Sequence, residues 1–191
     1  SGAWMTDLRG QGLFKGNDRR PQIGIVMNFT KPTKTKPSLL TFYEVKTLFH
    51  EFGHALHGMF SNVTYPSLSG TSVYWDFVEL PSQIMENWCY EPEVLALFAK
   101  HYETGEIIPQ KYIDKIKESA SFLEGIVTLR QLSLGVLDMA YYAKPQVVED
   151  IKAFEKNAIK NTNLYPDIAE TCISTSFSHI FRGGYASGYY S

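Results

Sequence analysis

Cysteine is scarce in this sequence of 191 residues, which contains Cys89 and Cys172 and no others. The two lie far apart, so the chain has neither the close cysteine spacing of a zinc knuckle nor a disulfide framework. Two free thiols fit a reducing compartment, and no signal-peptide pattern is found. We therefore predict a cytoplasmic protein with two buried, unpaired cysteines.

An excess of charge and a long apolar run are also missing. The 18 Lys and Arg residues nearly balance the 20 Asp and Glu residues, so no basic surface for nucleic acid is indicated. No stretch approaches the run of about 18 apolar residues that a membrane-spanning helix needs. We predict neither a nucleic-acid partner nor a membrane span.

Hydrophobic periodicity divides the chain into a short β region and a long helical region. Alternation predicts strands over 3–8 and 22–29, and glycine and charge predict a loop over 9–20. We predict an α+β, mainly α-helical fold in which residues 1–40 form a small β region and residues 41–191 a helical region.

The helical region begins with a capping box, Thr41 and Glu44, ahead of apolar residues at helical spacing. Later helices are predicted over 76–90, 92–102, 109–143 and 145–161.

The run His50-Glu51-Phe52-Gly53-His54 lies in the first of these helices and has the form H-E-x-x-H. Residues i and i+4 share a helix face, so both imidazoles can bind one cation. Tetrahedral zinc accepts such a pair and leaves positions for a third protein ligand and a water. Glu51 is rotated by about 100° from His50 and can reach that water as a general base. The run therefore predicts metal-assisted hydrolysis with one Zn²⁺ per chain.

The histidines of this helix form a stripe of their own. His50, His54 and His57 project on the side nearly opposite to the apolar residues, which we expect to face the core. His57, at i+7, is a rival ligand. A metzincin site is rejected, because that pattern needs Gly and His at +7 and +10, where this chain has His57 and Phe60.

The third ligand is predicted to be a carboxylate from the next helix, where Asp76, Glu79 and Glu86 are candidates. Glu79 is preferred because it lies early in that helix. Asp76, one turn before it, is interpreted either as an N-cap or as a residue that orients an imidazole. Glu86 is interpreted either as a residue that supports a ligand or, as we prefer, as a surface or structural residue.

The C-terminal segment is rich in glycine and tyrosine and offers donors for an oxyanion. These candidates are His179, Tyr185, Tyr189 and Tyr190. An aromatic core segment with ordinary turns is an equally good interpretation of the same residues.

Four separated segments, in order, resemble the M3 family of zinc metallopeptidases. They are NFTKP (28–32), LFHEFGHALHG (48–58), GTSVYWDFVELPSQ (70–83) and HIFRGGYASGYY (179–190). The resemblance implies that residues 1–191 are a single fragment of an M3 catalytic domain. It also implies a thermolysin-like zincin core, in which an HExxH helix and a glutamate-bearing helix hold the metal.

The resemblance further implies roles for individual residues. His50, His54 and Glu79 match the zinc ligands, Glu51 matches the catalytic base, and His57 matches a position that is not a ligand. His179, Tyr185 and Tyr189 match residues that contact substrate.

Family members hydrolyse short oligopeptides, as oligopeptidases or as peptidyl-dipeptidases, and are several times longer than this chain. The resemblance places one further tyrosine just past Ser191 and implies that the remaining segments of the full-length peptidase are partners of this one. Two alternatives therefore stay open: a fragment that binds zinc and peptide without turnover, and a structural zinc domain.

Overall fold

A computed structural model describes residues 2–166 and 168–190. It is mainly helical with little β structure and divides the chain into two compact units, residues 1–119 and 120–191. The mainly helical α+β class that the periodicity predicted is confirmed. The prediction that residues 1–191 act as one catalytic-domain fragment stays a prediction.

The first unit opens with two small antiparallel sheets. Strand β1 (Trp4–Arg9) pairs with β4 (Gln22–Val26), and β2 (Gly12–Phe14) pairs with β3 (Asn17–Arg19). The loop predicted over 9–20 is thus wrong in part, since most of it forms the inner hairpin. Lys15 and Gly16, at the turn, have φ of 51° and 81°. Two successive positive φ values are typical of a type I′ turn, which a Lys-Gly pair signals only weakly.

Helix α1 (Phe42–Met59) begins at the predicted capping box, which is confirmed. The Thr41 hydroxyl accepts from the Glu44 amide, and the Glu44 carboxylate accepts from the Thr41 amide. Both strands of the first sheet, β1 and β4, lie against this helix. The structure therefore places an antiparallel strand pair against the helix that carries the HExxH run.

The buried face of α1 differs from the predicted one. Glu51, His54, Ala55 and Gly58, at positions i, i+3, i+4 and i+7, form the buried face, whereas Phe52 is 42% exposed. The expectation that the histidines face away from the packed side is therefore wrong. Small residues let the backbone of a neighbouring element approach this face. The face of α1 that becomes buried is therefore the one that carries Gly and Ala, not the one with the largest apolar side chains.

The helix predicted over 76–90 is interrupted. It consists of α2 (Trp75–Val78), α3 (Leu80–Glu86) and a 3₁₀ turn (Asn87–Tyr90). Pro81 lies in the first turn of α3, where its missing N–H is tolerated, and the helix restarts just before it. Glu79 is consequently the junction residue between two helices. The first unit continues with α4 (Pro92–Phe98) and α5 (Gln110–Ala120).

The second unit contains α6 (Glu124–Tyr142), α7 (Ile151–Ile159) and the short α8 (Ser178–Phe181). Its core is made of Leu134, Leu137, Ile159, Phe177 and Ile180. The long helix predicted over 109–143 breaks before α6, where Leu123 adopts a positive φ of 58°.

Both cysteines are free thiols, Cys89 buried and Cys172 partly so. Among the described residues no single helix is long and apolar enough to cross a membrane, although α5 and α6 meet the criterion together as a bent pair, on length and composition alone.

Asp138, on α6, is fully buried and holds the C-terminal segment through main-chain contacts. Its two carboxylate oxygens accept from the amides of Ser187 and Tyr189 at 2.8 and 3.0 Å. Asp138→Asn leaves one oxygen for two donors and turns an NH₂ group towards the other amide. We expect a loss of about 1–2 kcal/mol in the free energy of unfolding, measured by urea denaturation. The exposed Glu149→Gln is the matched control, and equal stability of the two variants would contradict this account.

Candidate metal centre

Helices α1 and α3 meet backbone to backbone at Gly53. A Cβ on Gly53 would lie 2.5 Å from the Pro81 carbonyl oxygen and 2.6 Å from the Ser82 Cα, distances that no side chain tolerates. The glycine inside the HExxH run therefore allows the glutamate-bearing helix to lie directly on the histidine-bearing one.

This close approach brings three donor atoms together. Glu79 Oε2 lies 3.3 Å from His50 Nε2 and 3.1 Å from His54 Nε2. Atoms bound to zinc at about 2.0–2.1 Å in a tetrahedron lie about 3.3 Å from one another, so the spacing and the N, N, O donor set fit this ion. Among the described residues, His50, His54 and Glu79 form a group whose ligand atoms all lie within 4.8 Å of one another and could hold a metal ion.

Glu79 is held in place by Ser82, which is fully buried. The Ser82 hydroxyl lies 2.8 Å from both Glu79 Oε2 and the Glu79 carbonyl oxygen. Ser82 was not singled out in the sequence, and no sequence signal marks it, because Glu79-x-x-Ser82 has the reverse order of a capping box.

His50 has a second carboxylate on its other ring nitrogen. Its Nδ1 lies 2.7 Å from Glu86 Oε1, and Glu86 Oε2 lies 2.8 Å from Lys46 Nζ. Burial opposes protonation of His50, but hydrogen bonds to Glu79 and Glu86 raise its pKa to about 9. A carboxylate on Nδ1 is the usual way in which proteins orient a metal-binding histidine.

The sequence pointed to Asp76 for this orienting role, and the structure places Glu86 there instead. Asp76 is exposed, in the first turn of α2. Because the helix is interrupted at Glu79, Asp76 belongs to α2 and not to α3. Glu86, by contrast, follows Glu79 by seven residues, or about two turns, and lies on the same side of α3. The role of Asp76 stays a prediction. Of the two interpretations of Glu86, its contact with His50 favours the supporting role over the surface role that we preferred from the sequence.

His54 is held differently. It is 8% exposed, and its Nδ1 is buried without a hydrogen-bond partner among the described residues. Its ring contacts the His50 ring edge to face, at 5.0 Å between centroids. The two imidazoles therefore differ: a carboxylate orients His50, and packing orients His54.

Glu51 lies beside the donor cluster and is 6% exposed. Burial raises the pKa of this carboxyl group, and the nearby His50 and His54 oppose that shift. Together with Ala3 and His50, it lines an open cavity of about 320 Å³ at the start of β1. A carboxyl group with a raised pKa at the edge of a donor cluster is suited to accept and return a proton.

His57 does not join the donor cluster. Its ring lies 5.8 Å from the Phe77 ring, and its Nδ1 is buried without a partner among the described residues. Burial, together with repulsion from His54, lowers its pKa, and the nearby Asp7 opposes that shift.

The predicted substrate residues lie in the second unit, where they contact one another. The His179 ring is 6.3 Å from the Tyr185 ring and 5.6 Å from the Tyr189 ring. Asp138 fixes the main chain beside Tyr189. They form one aromatic cluster around an imidazole, and their proposed contact with substrate stays a prediction.

Two helix-borne imidazoles, a carboxylate from the following helix and a buried glutamate beside them are the arrangement expected of a metallopeptidase. The sequence model of Peptidase family M3 matches residues 1–191. The chain therefore belongs to peptidase family M3, and the resemblance stated from the sequence is confirmed.

Individual relatives agree with this assignment over the whole chain. Oligopeptidase A of Escherichia coli is 44% identical over 100% of this chain, and the dipeptidyl carboxypeptidase of the same organism is 41% identical over 99% of it. The probable cytosolic oligopeptidase A of Arabidopsis thaliana is 42% identical over 100% of the chain. In each case the chain spans 28% of the length of the relative.

Proposed function

We propose that this chain is the zinc-binding part of a peptidase that hydrolyses peptide bonds in short oligopeptides. The observation that carries the proposal is that His50 Nε2 and His54 Nε2 both lie within 3.3 Å of Glu79 Oε2. A bound zinc ion would lower the pKa of a water and polarise the substrate carbonyl. The names of the relatives, oligopeptidase A and dipeptidyl carboxypeptidase, support a peptide substrate.

Glu51 moves the proton in the proposed reaction. Its carboxylate accepts a proton from the attacking water and passes it to the nitrogen of the leaving amine. A carboxylate with a raised pKa is a stronger base, so the raised pKa of Glu51 favours the first transfer, from the attacking water to the carboxylate. His179, Tyr185 and Tyr189 would donate hydrogen bonds to the substrate.

Strand β1 offers a place for the peptide backbone. It pairs with β4 on one side, and Ala3, just before it, lines the cavity that also contains Glu51. An extended peptide that adds to the other side of β1 would run past the donor cluster. The zincin-like arrangement of helix, strand and peptide is part of this proposal.

The cellular location remains a proposal as well. We propose the cytoplasm, in keeping with two free thiols and with the cytosolic name of one relative.

Metal removal tests the proposed chemistry. We expect one zinc per chain by metal analysis, loss of cleavage of a quenched fluorescent peptide after chelation, and recovery with Zn²⁺ but not with Mg²⁺, which prefers oxygen ligands. The capping box and the α1–α3 contact should keep the helices folded without metal, as followed by circular dichroism. Unfolding on chelation, without peptide cleavage at any stage, would favour the structural zinc domain.

A chimaera separates the remaining alternative, zinc and peptide binding without turnover. The chain would replace the matching 28% of Escherichia coli oligopeptidase A, with which it shares 44% identity. Cleavage by the chimaera, but not by the chain alone, would show that the site is competent and that other segments complete it. Zinc-loaded chimaera without cleavage would contradict the proposed function.

A further inference from the structure

We propose that Lys46 is a positioning residue for the metal centre and acts on His50 through Glu86. The inference rests on the proposed function, because it assumes that His50, His54 and Glu79 bind zinc. Lys46 lies one helical turn before His50 on α1, outside the HExxH run, and neither its spacing nor its charge marks it in the sequence.

The geometry is a chain of two short polar contacts. One oxygen of the Glu86 carboxylate lies 2.8 Å from Lys46 Nζ, and the other lies 2.7 Å from His50 Nδ1. Each carboxylate oxygen therefore has its own cationic or N–H partner. Side-chain exposure is 37% for Lys46, 20% for Glu86 and 25% for His50, so the contacts are partly shielded from water.

This arrangement orients the ring of His50. The Glu86 carboxylate accepts from Nδ1–H, which turns Nε2 towards Glu79 and His54, where it would bind the metal. Lys46 stops the Glu86 carboxylate from rotating, because a rotation that frees one oxygen from Lys46 also moves the other away from His50. Without Lys46, Glu86 retains a single contact and the ring of His50 is held less firmly.

The effect on the site should be concentrated in His50. The Nδ1 of His54 has no hydrogen-bond partner among the described residues, so no comparable contact orients that ring. Within the described part of the chain, the Glu86 carboxylate contacts Nδ1 of His50, and the Lys46 ammonium group is the counter-ion of that carboxylate.

Lys46 also lines the cavity that contains His50 and Glu51, so a direct contact with substrate is the competing explanation. The two explanations differ in what they change. A positioning role alters zinc affinity in the absence of peptide, whereas a substrate contact alters peptide affinity and leaves zinc affinity untouched.

The test measures the zinc dissociation constant of the 191-residue chain by competition with a chromophoric chelator. Lys46→Met is expected to weaken zinc binding by about tenfold and Glu86→Gln by about 10–100-fold, the range for groups that orient a ligand. Lys46→Arg should retain most of the affinity. The exposed Lys115→Met, on α5, is the charge-matched control and should bind zinc as the wild type does.

Two further measurements separate positioning from a general structural effect. The double variant Lys46→Met/Glu86→Gln should bind zinc no more weakly than Glu86→Gln alone, because Lys46 acts through Glu86. In the ¹⁵N-labelled, zinc-loaded chain, Lys46→Met should shift the His50 Nδ1–H resonance and speed its exchange with water, while thermal unfolding stays close to that of Lys115→Met.

Equal zinc affinity of Lys46→Met and wild type would overturn the proposal and leave the proposed function intact. So would additive losses in the double variant, or a change confined to peptide affinity. A wild-type chain that binds no zinc would overturn both the role of Lys46 and the proposed function. The two proposals can therefore fail separately, and the measurements tell their failures apart.

Discussion

Glu51→Gln is expected to reduce peptide hydrolysis by about 10²–10⁴-fold, the range for loss of a general base, with zinc still bound. The amide has nearly the same shape as the carboxylate but cannot accept the proton of the attacking water. Glu51 is not one of the three converging donors, which belong to His50, His54 and Glu79. Hydrolysis should thus fall without loss of metal.

The measurement pairs the initial rate of cleavage with the zinc content of the same sample, in the chain and in the chimaera. Glu93→Gln, an exposed change in the first turn of α4, is the matched control and should leave both unchanged. A Glu51→Gln protein that cleaves as fast as wild type would show that Glu51 takes no part in the reaction. Loss of zinc together with activity would instead place Glu51 among the groups that hold the metal.

Much of the candidate metal centre could be predicted because it is local. The i, i+4 spacing of His50 and His54 places both rings on one helix face whatever surrounds them. The capping box at Thr41 fixes where that helix begins, through hydrogen bonds between residues three apart. Glu79 could not be chosen from helix spacing alone and was assigned with the help of the family resemblance. Its position beside both imidazoles in the structure agrees with that assignment.

The groups that support the ligands could not be predicted with the same certainty. Glu86 and Ser82 lie at the candidate metal centre because α3 lies directly on α1, and that contact depends on a glycine, Gly53. The apolar pattern of α1 pointed to the wrong buried face, since burial there is decided by how closely another backbone can approach. A contact between one side chain on α1 and one on α3, such as that between His50 and Glu86, leaves no periodic pattern in the sequence of either helix.

Errors in the fold have a similar origin. The inner hairpin β2–β3 contains exposed, charged residues and closes through Lys15 and Gly16, so alternation gave no sign of it. The break before α6 depends on the single positive φ of Leu123, a conformation that leucine rarely adopts and that composition does not reveal. Both are set by backbone conformation at one or two residues.

Gly53→Ala is expected to have the second large effect, and it reverses what helix propensity predicts. Alanine favours a helix over glycine by about 1 kcal/mol. However, its Cβ would lie 2.5 Å from the Pro81 carbonyl oxygen and 2.6 Å from the Ser82 Cα, which are main-chain atoms and cannot change rotamer to make room. We expect a net loss of about 3 kcal/mol in the free energy of unfolding, at the upper end of overpacking costs.

Zinc affinity should fall with it, because any shift of α3 away from α1 moves Glu79 from the imidazoles and Glu86 from His50. The matched control is Gly125→Ala, also in a helix, where an added Cβ meets nothing within 4 Å and stability should be unchanged or slightly higher. Urea denaturation and zinc competition on both variants measure the two effects. If Gly53→Ala were as stable as Gly125→Ala and bound zinc as wild type does, the backbone contact would not be what holds the two helices in register. The glycine would then owe its place in the motif to something other than close packing.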